Sequence, residues 1–154
     1  MPVKGSGPPL VLIPGIQGRW EWVAPAVDAL AERFRVITFS LPGEPGSGIA
    51  HDPDGGFGVL VGQIDGALDE AAKTSAIVCG VSFGGLVAAV YAARRPERTS
   101  KLVLVSAIGP GWTIDDRARR VMAAPWWALP AFVPGSVGRL YPEIALALPR
   151  LRDR

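Results

Sequence analysis

The sequence predicts an α/β fold in which a parallel four-stranded sheet, in the order two-one-three-four, is flanked by helices. Three observations carry that expectation. Short, largely apolar runs at 10–13, 35–39, 75–79 and 101–105 have the continuous character of strands buried on both faces of a parallel sheet. The segments between them place apolar residues at helical spacing, so a helix can return the chain to the start of the next parallel strand. The third run leads through Gly80-Val81-Ser82-Phe83-Gly84 straight into an Ala-rich helical stretch, which puts a serine at a sharp strand-to-helix turn.

Taken in order, Leu10-Val11-Leu12-Ile13 is the first strand, and Pro14-Gly15 ends it. Val23, Val27 and Leu30 then fall on one helical face within 20–33; Pro25 is tolerable only in a first turn, so this helix is expected to start near Glu21. The β-branched and aromatic run 35–39 is the second strand, and Pro42, Gly43, Pro45, Gly46 and Gly48 make a long loop after it. From Asp54, an expected N-cap, Phe57, Leu60, Val61, Ile64 and Leu68 form a single apolar stripe on a helix that ends near Lys73. The third strand is 75–79. The helix 83–94 is apolar nearly all round, with Ala88, Ala89, Ala92 and Ala93 small enough for close packing, and is expected to be the buried central helix. Pro96 stops it, and 101–105 is the fourth strand, an apolar edge with no protecting partner.

With 154 residues, 49% hydrophobic and 19% charged, the chain has the material for one folded core, and its 19 Gly and 15 Pro imply many turns. Two parts are expected: a core over 1–109 and, over 110–154, the start of a helical cap. The second part holds Trp112, Trp126, Trp127, Phe132 and Tyr141; it reads either as a lid over an apolar pocket or as core packing and exposed apolar surface. Residues 121–138 carry no charge, but Pro125, Pro130 and Pro134 argue against an intact membrane helix. The start of the chain lacks a signal-peptide core, so a cytoplasmic location is expected. One cysteine, Cys79, and one histidine, His51, leave no plausible zinc site, and Cys79 within a strand reads as a small buried hydrophobe. Residues 94–154 carry 11 basic and 5 acidic side chains, yet Arg117, Arg119 and Arg120 resemble a solvated helix face, and nucleic acid is not an expected partner.

The chemistry-bearing candidate is Ser82. Gly80 and Gly84 lack a Cβ, so strand and helix can approach closely around the turn, while the N–H of Phe83 lies at a helix N-terminus suited to a developing oxyanion. Read with Pro14-Gly15-Ile16, Trp22, Leu41-Pro42-Gly43 and Pro96-Glu97-Arg98, the Gly80-to-Gly85 stretch resembles the α/β-hydrolase superfamily, in its serine-nucleophile, cap-bearing branch, from about Leu10 to Ser106.

That resemblance implies a hydrolase of esters or similar acyl compounds that needs no cofactor and acts on a small apolar or acyl substrate. Ser82 would be the nucleophile, and the backbone N–H groups of Ile16 and Phe83 the oxyanion donors. Dehalogenases and epoxide hydrolases of the superfamily generally carry Asp where Ser82 stands; lyases, peroxidases and acyltransferases share the fold. Pro14 replaces a usual His, Ser40 a frequent Asp and Pro45 a frequent Gly, while Ser47 keeps its place. The resemblance also implies that two strands of the full fold are absent before Leu10 and two after Arg154, and that the triad acid and histidine belong to the later part. His51 follows the second strand and so faces the right sheet edge for a base, but it reads equally as a solvated loop histidine; Asp115 and Asp116 read as acid or as helix cap. The rival reading is a non-catalytic ligand- or partner-binding protein that keeps the scaffold.

Overall fold

The computed structural model describes residues 1–52, 54–109, 113 and 116. The chain divides into two compact units, Met1–Ile108 and Gly109–Arg154, and the description that follows concerns the first. The expected lid over 110–154 lies outside the described residues apart from Thr113 and Asp116.

Five strands make one sheet: β1 (Val3–Lys4), β2 (Pro9–Ile13), β3 (Arg35–Thr38), β4 (Ala76–Val81) and β5 (Thr99–Val105), in the order β1-β3-β2-β4-β5. The last four pair in parallel in the predicted order. The four-strand expectation is therefore corrected by one. β1 pairs antiparallel with β3, Val3 opposite Ile37 and Lys4 opposite Val36, so a strand does precede Leu10. Two residues between Pro2 and Gly5 are too few to show any periodicity in sequence.

Alternation along the strands sorts side chains into two cores. Val11, Ile13, Ile37 and Val78 face α2 (Gly56–Glu70) and α3 (Phe83–Arg94), which contribute Ile64, Leu68, Val87, Ala88 and Tyr91. Leu10, Leu12, Val36 and Cys79 face the opposite way, toward Val27 of α1 (Ala24–Leu30). The result is a three-layer α/β/α arrangement, and Cys79 is a buried free thiol whose pKa is pushed up by burial.

The helices depart from expectation at their starts. Residues Trp20–Val23 form a 3-10 turn, and α1 begins only at Ala24, where Pro25 occupies the first helical turn that lacks amide acceptors. Asp54 does not cap α2: Gly55 is the N-cap, and Asp52 instead accepts the amides of Asp54 and Gly55, both at 3.0 Å. Helix α3 buries Gly84, Gly85, Val87, Ala88 and Tyr91 on one face, while Leu86, Ala89 and Val90 are half-buried and Ala93 exposed, so it is a one-faced rather than a fully enclosed helix. At the sheet's far edge, Leu102, Val103, Leu104 and Val105 are each more than 40% exposed.

Candidate active site

Ser82 occupies the single residue between β4 and α3, with φ 52° and ψ −117°. Few L-residues adopt a positive φ, and the conformation is held from both sides: the Ser82 amide donates to the Val105 carbonyl at 2.8 Å, and the Gly85 amide donates to the Ser82 carbonyl at 2.9 Å. The Ser82 hydroxyl does not cap the helix.

The flanking glycines are sterically required. A Cβ on Gly80 would lie 2.0 Å from the Gly84 carbonyl oxygen, and one on Gly84 would lie 2.4 Å from the Pro14 oxygen. Gly85 has the same constraint against the Ala107 side chain, at 2.4 Å. The end of β2 is thus pressed against the start of α3. Gly15 continues the contact: the space a Cβ would fill there lies 3.5 Å from Ser82 Cβ and 2.9 Å from Gln17 Oε1. Ile16, the next residue, projects its side chain into solvent, 76% exposed.

Hydrogen bonds hold this loop in place. The Gly18 amide donates to the Gly15 carbonyl at 2.9 Å, closing a turn, and the Leu41 amide donates to the Gly18 carbonyl at 2.7 Å, tying it to the segment after β3. Ser40 is buried there; its hydroxyl accepts the Trp20 amide at 3.4 Å and its carbonyl accepts Gln63 Nε2 at 2.8 Å. Sequence reasoning missed Glu21, which is 1% exposed and paired with Arg19 at 3.2 Å. Its position among apolar residues of an expected amphipathic helix is the only signal it gives.

His51 is exposed and no hydrogen bond joins it to Ser82. Instead it lies against Gly43 and, with Asp52, lines a cavity of about 340 Å³ whose other walls are apolar and include Phe83. Phe57 and Phe83 stack there with ring centroids 6.4 Å apart. Asp115 lies outside the described residues, and among those described no cluster of His, Cys, Asp and Glu fits a metal ion. No described helix is long and apolar enough to cross a membrane.

A family model described as the alpha/beta hydrolase fold matches residues 8–135. The chain belongs to that family. Poly(3-hydroxyalkanoate) depolymerase of Ectopseudomonas oleovorans is 31% identical over 157 aligned positions, covering 94% of this chain and 54% of that protein. 2-Hydroxymuconate semialdehyde hydrolase of a Pseudomonas species is 33% identical, covering 84% of this chain and 45% of its own length. Among solved structures, an α/β-hydrolase fold protein from Burkholderia ambifaria superposes with a TM-score of 0.68 at 25% identity, over 89% of this chain and 53% of that one. This α/β-hydrolase chain therefore spans about half the length of the curated relatives it matches.

Proposed function

We propose that this chain carries the nucleophile and oxyanion donors of a serine hydrolase of esters or similar acyl compounds. In this reading Ser82 Oγ attacks the acyl carbon, and the N–H groups of Ile16 and Phe83 hold the oxygen that becomes negative. One observation supports it most: Ser82 holds a positive φ between a parallel strand and a helix whose Gly80 and Gly84 leave no room for any side chain. A serine in that conformation exposes its hydroxyl at the sheet edge rather than capping the helix. The relatives named above include a depolymerase and a semialdehyde hydrolase, and a pimeloyl-[acyl-carrier protein] methyl ester esterase of Aeromonas hydrophila is 35% identical over 67% of this chain.

The general base and its orienting acid are not assigned to any described residue. A neutral serine depends on a base within hydrogen-bond reach, and the chain's one histidine, His51, makes no such bond. We therefore expect a trace of turnover, of the order of 10³- to 10⁴-fold over water, from the oxyanion donors and binding alone. This same observation favours the second reading, a non-catalytic binding protein on a hydrolase scaffold.

Fluorophosphonate labelling and p-nitrophenyl butyrate hydrolysis by the wild-type chain, Ser82→Ala and His51→Ala separate the two. Labelling lost in Ser82→Ala and retained in His51→Ala is the expected outcome. Fast turnover lost in both variants would instead promote His51 to general base, and no Ser82-dependent labelling at all would leave the binding protein.

A further inference from the structure

One polar side chain beside Ser82 is left unused by the proposed chemistry. Gln17 follows Ile16 in the turn closed by the Gly18-to-Gly15 hydrogen bond, and its side chain folds back across Gly15. The space a Cβ would fill on Gly15 lies 2.9 Å from Gln17 Oε1 and 3.5 Å from Ser82 Cβ, which bounds the separation of those two atoms at about 6.4 Å. Only a residue without a side chain leaves the carboxamide that place. The turn beneath it is fixed by its own bond at 2.9 Å and by the Leu41 amide at 2.7 Å. Gln17 is exposed, and among the described residues its carboxamide has no hydrogen-bond partner, so both its oxygen and its N–H groups are open to a ligand.

We propose that Gln17 is a specificity-determining residue whose carboxamide oxygen accepts a hydrogen bond from a hydroxyl on the carbon next to the substrate's acyl carbon. Reach sets the position. An acyl carbon at Ser82 Oγ stands two bonds from Ser82 Cβ, and a hydroxyl oxygen on the neighbouring carbon stands two bonds further, which leaves a gap to Gln17 Oε1 of the order of one hydrogen bond, about 2.8 Å. Polarity sets the chemistry: the N–H groups of Ile16 and Phe83 suit the carbonyl oxygen, an acceptor, whereas Oε1 over Gly15 suits a donor. Because the carboxamide is neutral, that donor is a hydroxyl and not an ammonium group, whose lost water one amide oxygen does not replace. The assignment rests on the serine-hydrolase reading for the place of the acyl carbon, but the binding itself requires no catalysis.

The test is a nuclear magnetic resonance titration of full-length Ser82→Ala with methyl butyrate, methyl 2-hydroxybutyrate and methyl 2-methoxybutyrate, following the Gln17 side-chain amide and the backbone amides of Ile16 and Phe83. The hydroxy ester should bind about fivefold more tightly than methyl butyrate, the ratio for one neutral hydrogen bond, and shift the Gln17 side-chain resonances. The methoxy ester, which cannot donate, should gain nothing. Adding Gln17→Ala should remove the fivefold preference and leave methyl butyrate binding unchanged. Adding Gly15→Ala should remove it too, because the new methyl meets Gln17 Oε1 and displaces a carboxamide that is still present. A preference that is absent, that survives Gln17→Ala or that the methoxy ester shares overturns the proposal, as does binding of none of the three esters. If the preference fails while fluorophosphonate still labels Ser82 of the wild type, only the Gln17 assignment falls; if it holds without labelling, the hydroxyl site stands and the hydrolase reading falls.

Discussion

Each glycine in this chain has a cost that depends on what surrounds it. Gly80 and Gly62 mark the extremes. A methyl on Gly80 would meet the Gly84 backbone at 2.0 Å, where nothing flexible can yield, whereas one on Gly62, inside α2, would meet nothing within 4 Å. Gly80→Ala should therefore destabilise by at least about 3 kcal/mol or prevent folding, the range of other severe core errors. Gly62→Ala should stabilise by about 1 kcal/mol, because alanine loses less backbone freedom in a helix. Urea denaturation of the two variants checks both signs. The contrast was legible in part: Gly80 and Gly84 stand out by their spacing around Ser82, while Gly62 looks no different in sequence from a glycine that packs. Glu21 was less legible still, because burial of a carboxylate depends on where Arg19 folds, which neighbouring residue types do not reveal.

Between elements, Asp65 ties α2 to α3 and to the 3-10 turn Pro96–Arg98. It accepts hydrogen bonds from Tyr91 Oη at 2.9 Å, Arg95 Nε at 2.9 Å and Arg98 at 3.0 Å, and Arg98 also reaches Asp69 at 2.6 Å. Burial alone would raise the Asp65 pKa, but the Tyr91 hydroxyl and the two guanidinium groups outweigh it and hold the carboxyl below its ordinary value. A carboxylate lowered on folding contributes its stability in full above the unfolded-state value and loses it as pH falls through the folded-state one. Asp65→Asn should then cost about 2 kcal/mol near neutrality and flatten the stability profile below about pH 4, as thermal unfolding across pH would record. The apolar stripe of α2 and the helix 83–94 were readable from period alone. What joins them was not, since Asp65 and Arg98 are 33 positions apart and meet only after both helices have docked. Helix starts were misplaced for a related reason: Trp20–Val23 keeps a helical pattern while adopting a tighter turn, and α2 starts after Gly55 with no side-chain cap, Asp52 bonding only the amides of Asp54 and Gly55 ahead of it.

At the scale of the whole sheet, the order of the four parallel strands followed from alternation and handedness, while β1 left no trace because its placement depends on tertiary pairing with β3. The edge formed by β5 matters to the reactive turn as well as to solubility. The Ser82 amide is bonded to Val105, the last residue of that edge strand, whereas β2 at the centre is paired on both sides. In terms of hydrogen exchange, the turn therefore belongs with the edge and not with the core. Because that bond is to β5, detaching β5 is expected to free the Ser82 amide without any opening of β2 or β3. Native-state exchange should accordingly give Ser82 and the β5 amides one shared opening free energy, below that of Val11 and Leu12; a Ser82 amide that exchanges only with the central strand would contradict this. The lifetime of the serine's strained conformation is then set by a strand that contributes none of the proposed site's residues, and any partner that slows the fraying of β5 would prolong it.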